Sequence, residues 1–158
     1  MYKASLKIVL PVFFIVTCLL FSCGKNTVYS KYQPVSNKSW NKQDVYFFNF
    51  QITDISVAYN VSLQLRNNDQ YPYQNLWIIN EEAHPSGVSV KDTIEYMLAD
   101  DFGKWTGNGI TLYQSSINLR NNYHFPDTGK YTISVMHGMR DDDLKGIENV
   151  GLLIEKSK

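Results

Sequence analysis

The most restrictive feature of this chain is the segment YNVSLQLR at residues 59–66, in which apolar and polar side chains alternate without exception. Successive side chains of an extended chain point to opposite faces, so one face of this segment is apolar and the other is polar. Such alternation is typical of a β-strand with one face in a protein core and one face in water. The residues predicted to face the core are Tyr59, Val61, Leu63 and Leu65.

Similar segments recur along the chain, separated by turn-forming stretches. The alternating or apolar runs are 45–52, 74–80, 90–98, 110–119, 130–137 and 150–155, and the connections include RNNDQYPY at 66–73, PSG at 85–87 and ADDFGKWTGNG at 99–109. No run has the spacing of a long helix. Short strands with frequent turns predict an all-β fold, an antiparallel β-sandwich of seven to eight strands that is immunoglobulin-like or jelly-roll-like. Within it, QNLWIIN at 74–80 is expected to be a central strand with Trp77 in the core.

One tyrosine has the context of a structural hydrogen bond. In PDTGKYTISV, residues 126–135, Tyr131 stands where a strand begins, four residues after Asp127. This resembles the tyrosine corner of immunoglobulin-like sandwiches, in which a tyrosine hydroxyl bonds back to the nearby backbone. A plain turn before a strand is the alternative interpretation.

The N-terminus has the pattern of an export signal. Lys3 and Lys7 precede the apolar segment IVLPVFFIVTCLLF at 8–21, which is shorter than the ~20 residues that a membrane-spanning helix needs. The end of this segment and the two residues after it read LFSC, at 20–23, and this sequence resembles a bacterial lipobox. The resemblance implies that Cys23 receives a diacylglyceryl group and an acyl chain such as palmitate after residues 1–22 are removed. An ordinary secretory signal that happens to contain Cys23 is the alternative.

The sequence therefore predicts three parts: a lipoprotein signal peptide at 1–22, a lipidated Cys23 with a flexible tether at 23–43, and a β-sandwich domain at 44–158. The tether is inferred because residues 24–43 are polar, contain Pro34 and show no sustained periodicity.

Composition excludes several functions for the domain. Both cysteines lie within the first 23 residues, so the domain has no disulfide framework, no cysteine-based zinc site and no cysteine nucleophile. Lysine plus arginine and aspartate plus glutamate number 15 each, so no basic field exists to attract nucleic acid.

No residue pattern indicates catalysis or a cofactor. His84, His124 and His137 lack metal-ligand spacing, and the run Asp141–Asp143 lacks the pattern of a calcium loop. Carboxylates at 81–82 and 100–101 follow predicted strands and suggest, as a minor alternative, an acid and base for sugar hydrolysis. We therefore expect a protein that is not an enzyme and has no catalytic, metal or cofactor residues. The residues expected to contact a partner or a glycan are Lys104, Trp105 and Arg140, in the polar connections 99–109 and 137–149. Packing of Trp105 over the edge of the sandwich is the alternative interpretation.

Several stretches together resemble the GldH-type gliding-motility lipoproteins of Bacteroidetes. They are the lipobox at Cys23, LRNNDQYPYQNLW at 65–77, DTIEYMLADDFGKWTGNG at 92–109 and HGMRDDDLKGIENVGLLIEK at 137–156. The resemblance implies a non-enzymatic envelope lipoprotein, anchored to the bilayer by its N-terminal acyl chains, that works with envelope proteins of a gliding or linked secretion assembly. In some lipoproteins of that phylum acidic residues after the cysteine resemble a surface-export signal. Their absence after Cys23 favours a periplasm-facing protein. A glycan-binding lipoprotein module is the alternative function.

Overall fold

A computed structural model describes residues 26–157, which form ten β-strands and one 3-10 turn at Ser36–Lys38. Cys23 and the predicted signal peptide lie outside the described residues. None of the residues in 26–157 belongs to a helix long and apolar enough to cross a membrane. The strands are β1 (Thr27–Pro34), β2 (Ser39–Asn41), β3 (Tyr46–Ile52), β4 (Tyr59–Asn68), β5 (Asn75–Ala83), β6 (Ser89–Met97), β7 (Leu112–Tyr123), β8 (Gly129–His137), β9 (Asp143–Lys145) and β10 (Ile147–Lys156).

Two four-stranded antiparallel sheets form the domain, in the orders β1-β10-β4-β7 and β3-β8-β5-β6, with a small third sheet of β2 and β9. The predicted all-β, antiparallel, sandwich-like fold is confirmed. The alternating segment 59–66 lies in β4, between β10 and β7, and its four apolar side chains are fully buried. The predicted number of strands was too low, because β1, β2 and β9 were not recognised.

The prediction that Trp77 belongs to the core is wrong. β5 is a central strand, paired with β6 on one side and β8 on the other. Its neighbours Leu76 and Ile78 are fully buried, whereas Trp77 is 39% exposed. A strand in a two-layer sandwich is covered on one face only, so even a continuous apolar run alternates between core and solvent.

Most of the segment assigned to a tether is part of the sandwich. β1 pairs with β10 from Thr27, opposite Glu155, to Pro34, opposite Asn149. Val35 and Trp40, further along the same segment, are buried. β1 was not predicted because none of its side chains is fully buried and its sequence does not alternate. Pro34 is tolerated there because β1 is an edge strand. The ordered domain therefore includes Thr27.

The strand directions give the sandwich two distinct ends. β1 begins beside the last residues of β10, and every connection between the large sheets lies at one end or the other. We call one the N-terminal end; it comprises residues 26–28, 53–58, 84–88, 124–128 and 155–157. We call the other the far end; it comprises residues 35–45, 69–74, 98–111 and 138–146.

Candidate functional site

An aromatic cluster lies at the far end, where β4 and β7 meet the long connection after β6. The Trp105 ring centroid is 5.8 Å from that of Tyr113 and 6.3 Å from that of Tyr71. Trp105 Nε1 donates a hydrogen bond to Asp69 Oδ1 at 3.0 Å. This bond fixes the indole in place while leaving Trp105 only half-buried.

Beside this cluster lies a recess of about 590 Å³. Its walls are Asp69, Gly103, Lys104, Trp105, Gly107, Gly109, Ile110 and Tyr113. Gly109 is required here because its φ is +149° and a Cβ would lie 1.9 Å from the carbonyl oxygen of Leu112. The close backbone approach at Gly109 holds this part of the connection against the start of β7.

Two apolar side chains project into solvent beside the recess. Phe102 is 97% exposed and Ile110 is 88% exposed. Phe102 is held in a tight loop, because Asp100 Oδ1 accepts hydrogen bonds from the backbone N–H groups of Phe102 (3.0 Å) and Lys104 (2.9 Å). Contiguous apolar surface of this kind is typical of interaction sites, so these two side chains together with the aromatic recess make this end a candidate for one.

Arg140 lies on a neighbouring connection at the same end. That connection contacts the aromatic cluster through Tyr73, which donates a hydrogen bond to Asp141 Oδ2 at 2.5 Å. The Tyr73 ring is 5.9 Å from Tyr71, which in turn packs on Trp105. The structure thus places Lys104 and Trp105 in one recess and Arg140 on the connection joined to it by these tyrosines.

The hydroxyl groups of Tyr113 and Tyr73, in and beside the aromatic cluster, stay protonated at neutral pH. Loss of hydration and the nearby Asp69 carboxylate raise the pKa of Tyr113. The hydrogen bond to Asp141 and loss of hydration raise the pKa of Tyr73. The two tyrosines therefore offer neutral, amphipathic contact groups, which suit binding better than proton transfer.

The carboxylates considered for sugar hydrolysis do not meet. Glu82 is buried near the N-terminal end, with its Oε1 3.1 Å from His84 Nε2. Asp100 is at the far end and organises the loop of Phe102. Because they lie at opposite ends of the sandwich, these groups cannot act as acid and base on one glycosidic bond. Among residues 26–157, no three His, Cys, Asp or Glu side chains are grouped to hold a metal ion.

Sequence reasoning missed Phe102 and Ile110. A signal was present for Phe102, a large apolar residue between Asp101 and Gly103 in a polar connection. Ile110 gave no such signal, because it begins the predicted strand 110–119; in the structure β7 begins at Leu112 and leaves Ile110 in the connection.

Tyr131 is fully buried at the start of β8, and its hydroxyl donates a hydrogen bond to the carbonyl oxygen of Asp127 at 2.8 Å. The same hydroxyl accepts from the N–H of Asp127 at 3.2 Å. We expect Tyr131→Phe to lower the free energy of unfolding by about 1 kcal/mol, the typical net value of one hydrogen bond. Urea unfolding measures the change. Tyr96→Phe, at a half-buried tyrosine of β6, is the control, and equal curves for the two variants would contradict the prediction.

The fold and this surface define a small antiparallel β-sandwich domain with an aromatic recess and two exposed apolar side chains at one end. The chain belongs to the GldH lipoprotein family, whose model matches residues 27–154. The match runs from the first residue of β1 into β10, so the family unit includes the edge strand that the sequence analysis had assigned to a tether.

Two curated relatives cover most of the chain. A gliding motility lipoprotein GldH homolog of Christiangramia forsetii is 35% identical over 153 residues, which is 91% of this chain and 93% of the relative. The gliding motility lipoprotein GldH of Flavobacterium johnsoniae is 34% identical over 146 residues, or 87% of this chain and 90% of the relative. Among solved structures, infectious bursal disease virus (Gx strain) aligns with a TM-score of 0.40 and 14% identity over 84% of this chain and 32% of the viral chain. A score of that size does not establish a shared fold.

Proposed function

We propose that this protein is a lipid-anchored envelope lipoprotein that serves gliding motility, or a secretion assembly linked to it, by docking other envelope proteins and not by catalysis. The names of the two relatives support the link to motility. The observation that carries the docking role is the pair of exposed apolar side chains, Phe102 and Ile110, beside the aromatic recess at the far end.

The bilayer is the first partner. Residues 1–22 are removed as a signal peptide, Cys23 carries the lipid, and the domain faces the periplasm. Several acyl chains on one cysteine give stable anchoring, since each buried methylene contributes ~0.8 kcal/mol and a single chain binds only marginally. Membership in a lipoprotein family and the LFSC pattern at Cys23 support this assignment.

The second partner is a protein of the envelope. Ile110 in the wall of the recess and Phe102, next to Gly103 of that wall, can enter a partner surface while the recess receives one of the partner's side chains. Buried apolar anchors of this kind carry most of the binding energy in protein interfaces. Lys104 in the recess and Arg140 on the adjoining connection supply charge at the rim of the same surface.

Glycan binding is the second candidate, because the recess also has the aromatic walls that sugar rings stack on. Trp105 and Tyr113 are tilted by only 34° to each other. Binding to a glycan array that disappears in Trp105→Ala would favour this function. Absence of binding across the array would remove it.

The docking role predicts a large loss of partner binding when the apolar side chains are removed. We expect the double variant Phe102→Ala/Ile110→Ala to lower recovery of envelope proteins, co-purified from native membranes, by more than about tenfold, because interface anchors contribute about 2 kcal/mol or more. The thermal unfolding of the domain should not change, since both side chains are exposed.

Phe47→Ala is the matched control, because Phe47 is also an exposed phenylalanine but lies on β3. It should leave recovery unchanged. Full recovery of partners with the double variant would reject the far end as the docking surface.

A further inference from the structure

We propose that the N-terminal end of the sandwich is a membrane-contact surface, which lies against the bilayer that holds the lipid. This inference rests on the lipid attachment at Cys23 that belongs to the proposed function. It adds a second contact between protein and membrane and assigns it to the loops 53–58 and 84–88.

The chain between the lipid and the domain is short. β1 begins at Thr27, only four residues after Cys23. Four residues span at most about 14 Å even when fully extended. The start of β1 therefore cannot move further than this from the lipidated cysteine, whatever conformation the intervening residues adopt.

β1 is held in the sandwich and cannot lengthen this connection. It pairs with β10 along its whole course, and Tyr29 packs its ring 5.8 Å from that of Phe50 in the other large sheet. Val35, just beyond β1, is buried. Extending the connection to the bilayer would require unpairing β1 and exposing these side chains to water.

The surface held near the bilayer is partly apolar. Val88 is 54% exposed and Ile55 is 43% exposed, on two separate loops of the N-terminal end. Both loops are fixed by hydrogen bonds: the His84 N–H donates to the Val88 carbonyl oxygen at 2.8 Å, and the Ser56 N–H donates to Asp54 Oδ1 at 3.0 Å. Val28, 38% exposed, lies beside the chain start. Apolar side chains held within reach of lipid headgroups gain by inserting between them.

The consequence is a defined orientation. An eight-residue strand spans roughly 26 Å, so contact at the N-terminal end holds the far end about that distance from the headgroups. Phe102 and Ile110 then face away from the anchoring bilayer, toward proteins in the envelope.

Depth-sensitive labelling tests the proposal, and the chain suits this method because residues 24–158 contain no cysteine. Val88→Cys, Ile55→Cys and Phe102→Cys each carry a bimane fluorophore in the full lipidated protein, reconstituted in phosphatidylcholine vesicles that contain doxyl-labelled lipid. We expect blue-shifted, strongly quenched emission from the labels at 88 and 55, and water-like, weakly quenched emission from the label at 102.

Two controls test the lipid and the short connection separately. A Val88→Cys chain that begins at Gly24 has neither the signal peptide nor the lipid, and its label at 88 should lose its quenching. A Gly/Ser insertion of about twelve residues between Asn26 and Thr27 adds an average span of roughly 20 Å, and it should weaken quenching at 88 while leaving the lipid in place.

The outcomes are distinguishable. Equal quenching at 88 and 102, stronger quenching at 102, or quenching at 88 that the insertion does not change would each overturn the proposal. If intact-mass analysis shows an acylated Cys23 but the labels at 55 and 88 are in water, the membrane contact is wrong and the anchored docking protein stands. An unmodified Cys23 would overturn both.

Discussion

Trp40→Ala is expected to lower the free energy of unfolding by about 4 kcal/mol, in the range of tryptophan deletions from protein cores. Trp40 is fully buried although β2, its strand, has only three residues. Its ring packs edge-on against Tyr46 at 5.5 Å and His137 at 5.4 Å, and its Nε1 donates to the carbonyl oxygen of Asp44 at 3.0 Å. The variant loses these contacts and leaves a cavity between the small sheet and the rest of the domain.

The prediction also tests where the domain begins, because Trp40 lies in the segment that the sequence analysis assigned to a tether. Chemical denaturation with tryptophan or circular-dichroism detection measures the effect. Trp77→Ala is the matched control: Trp77 is 39% exposed, so its removal should cost well under half as much. A Trp40 variant as stable as the wild type would mean that residues 39–41 do not pack on the sandwich.

Gly146→Ala is expected to destabilise the domain by about 3 kcal/mol, since two costs add. Gly146 has φ +84°, and a side chain in this left-handed region costs roughly 1–2 kcal/mol. A Cβ at this position would also lie 2.3 Å from the backbone nitrogen of Tyr71, so the chain between β4 and β5 would have to shift, at a cost of about 1–3 kcal/mol. The Gly146 N–H donates a hydrogen bond to the carbonyl oxygen of Lys38 at 2.8 Å, and the Gly146 carbonyl oxygen accepts one from the N–H of Asn68 at 2.9 Å. These two bonds leave the backbone little room for that shift.

The chain provides a matched control for the second cost. Gly87 has the same φ, +84°, but nothing lies within 4 Å of the position of its Cβ. Gly87→Ala should therefore cost only the backbone term, about 1 kcal/mol. Thermal or urea unfolding of the two variants compares them directly, and equal losses would show that Gly146 has no packing role.

How much of the fold was predictable depends on how completely each strand is covered. The inner strand β4 is buried on one face along its length, and its alternation identified it. β1 was missed because none of its side chains is fully buried, and β2 and β9 were missed because three residues are too few to show an alternation. Trp77 was misplaced because a run of apolar residues does not reveal which of its members faces solvent.

The candidate site was predictable only in part, for a different reason. Lys104 and Trp105 stand in a connection whose length and polarity marked it as exposed. Their relation to Tyr71 and Tyr113 depends on how β4 and β7 pair, which the sequence does not state. The exposure of Phe102 is likewise a property of the loop geometry around Asp100, not of the residue type.

The pairing of the first strand with the last has a consequence for how the domain folds. β1 occupies a sheet edge and its strand partner is β10, so β1 has no strand to pair with until the other end of the domain is available. Contacts between such distant parts of a chain form slowly. While waiting, an exposed strand is prone to pair wrongly. The time that β10 takes to become available therefore sets how long residues 27–34 stay unpaired.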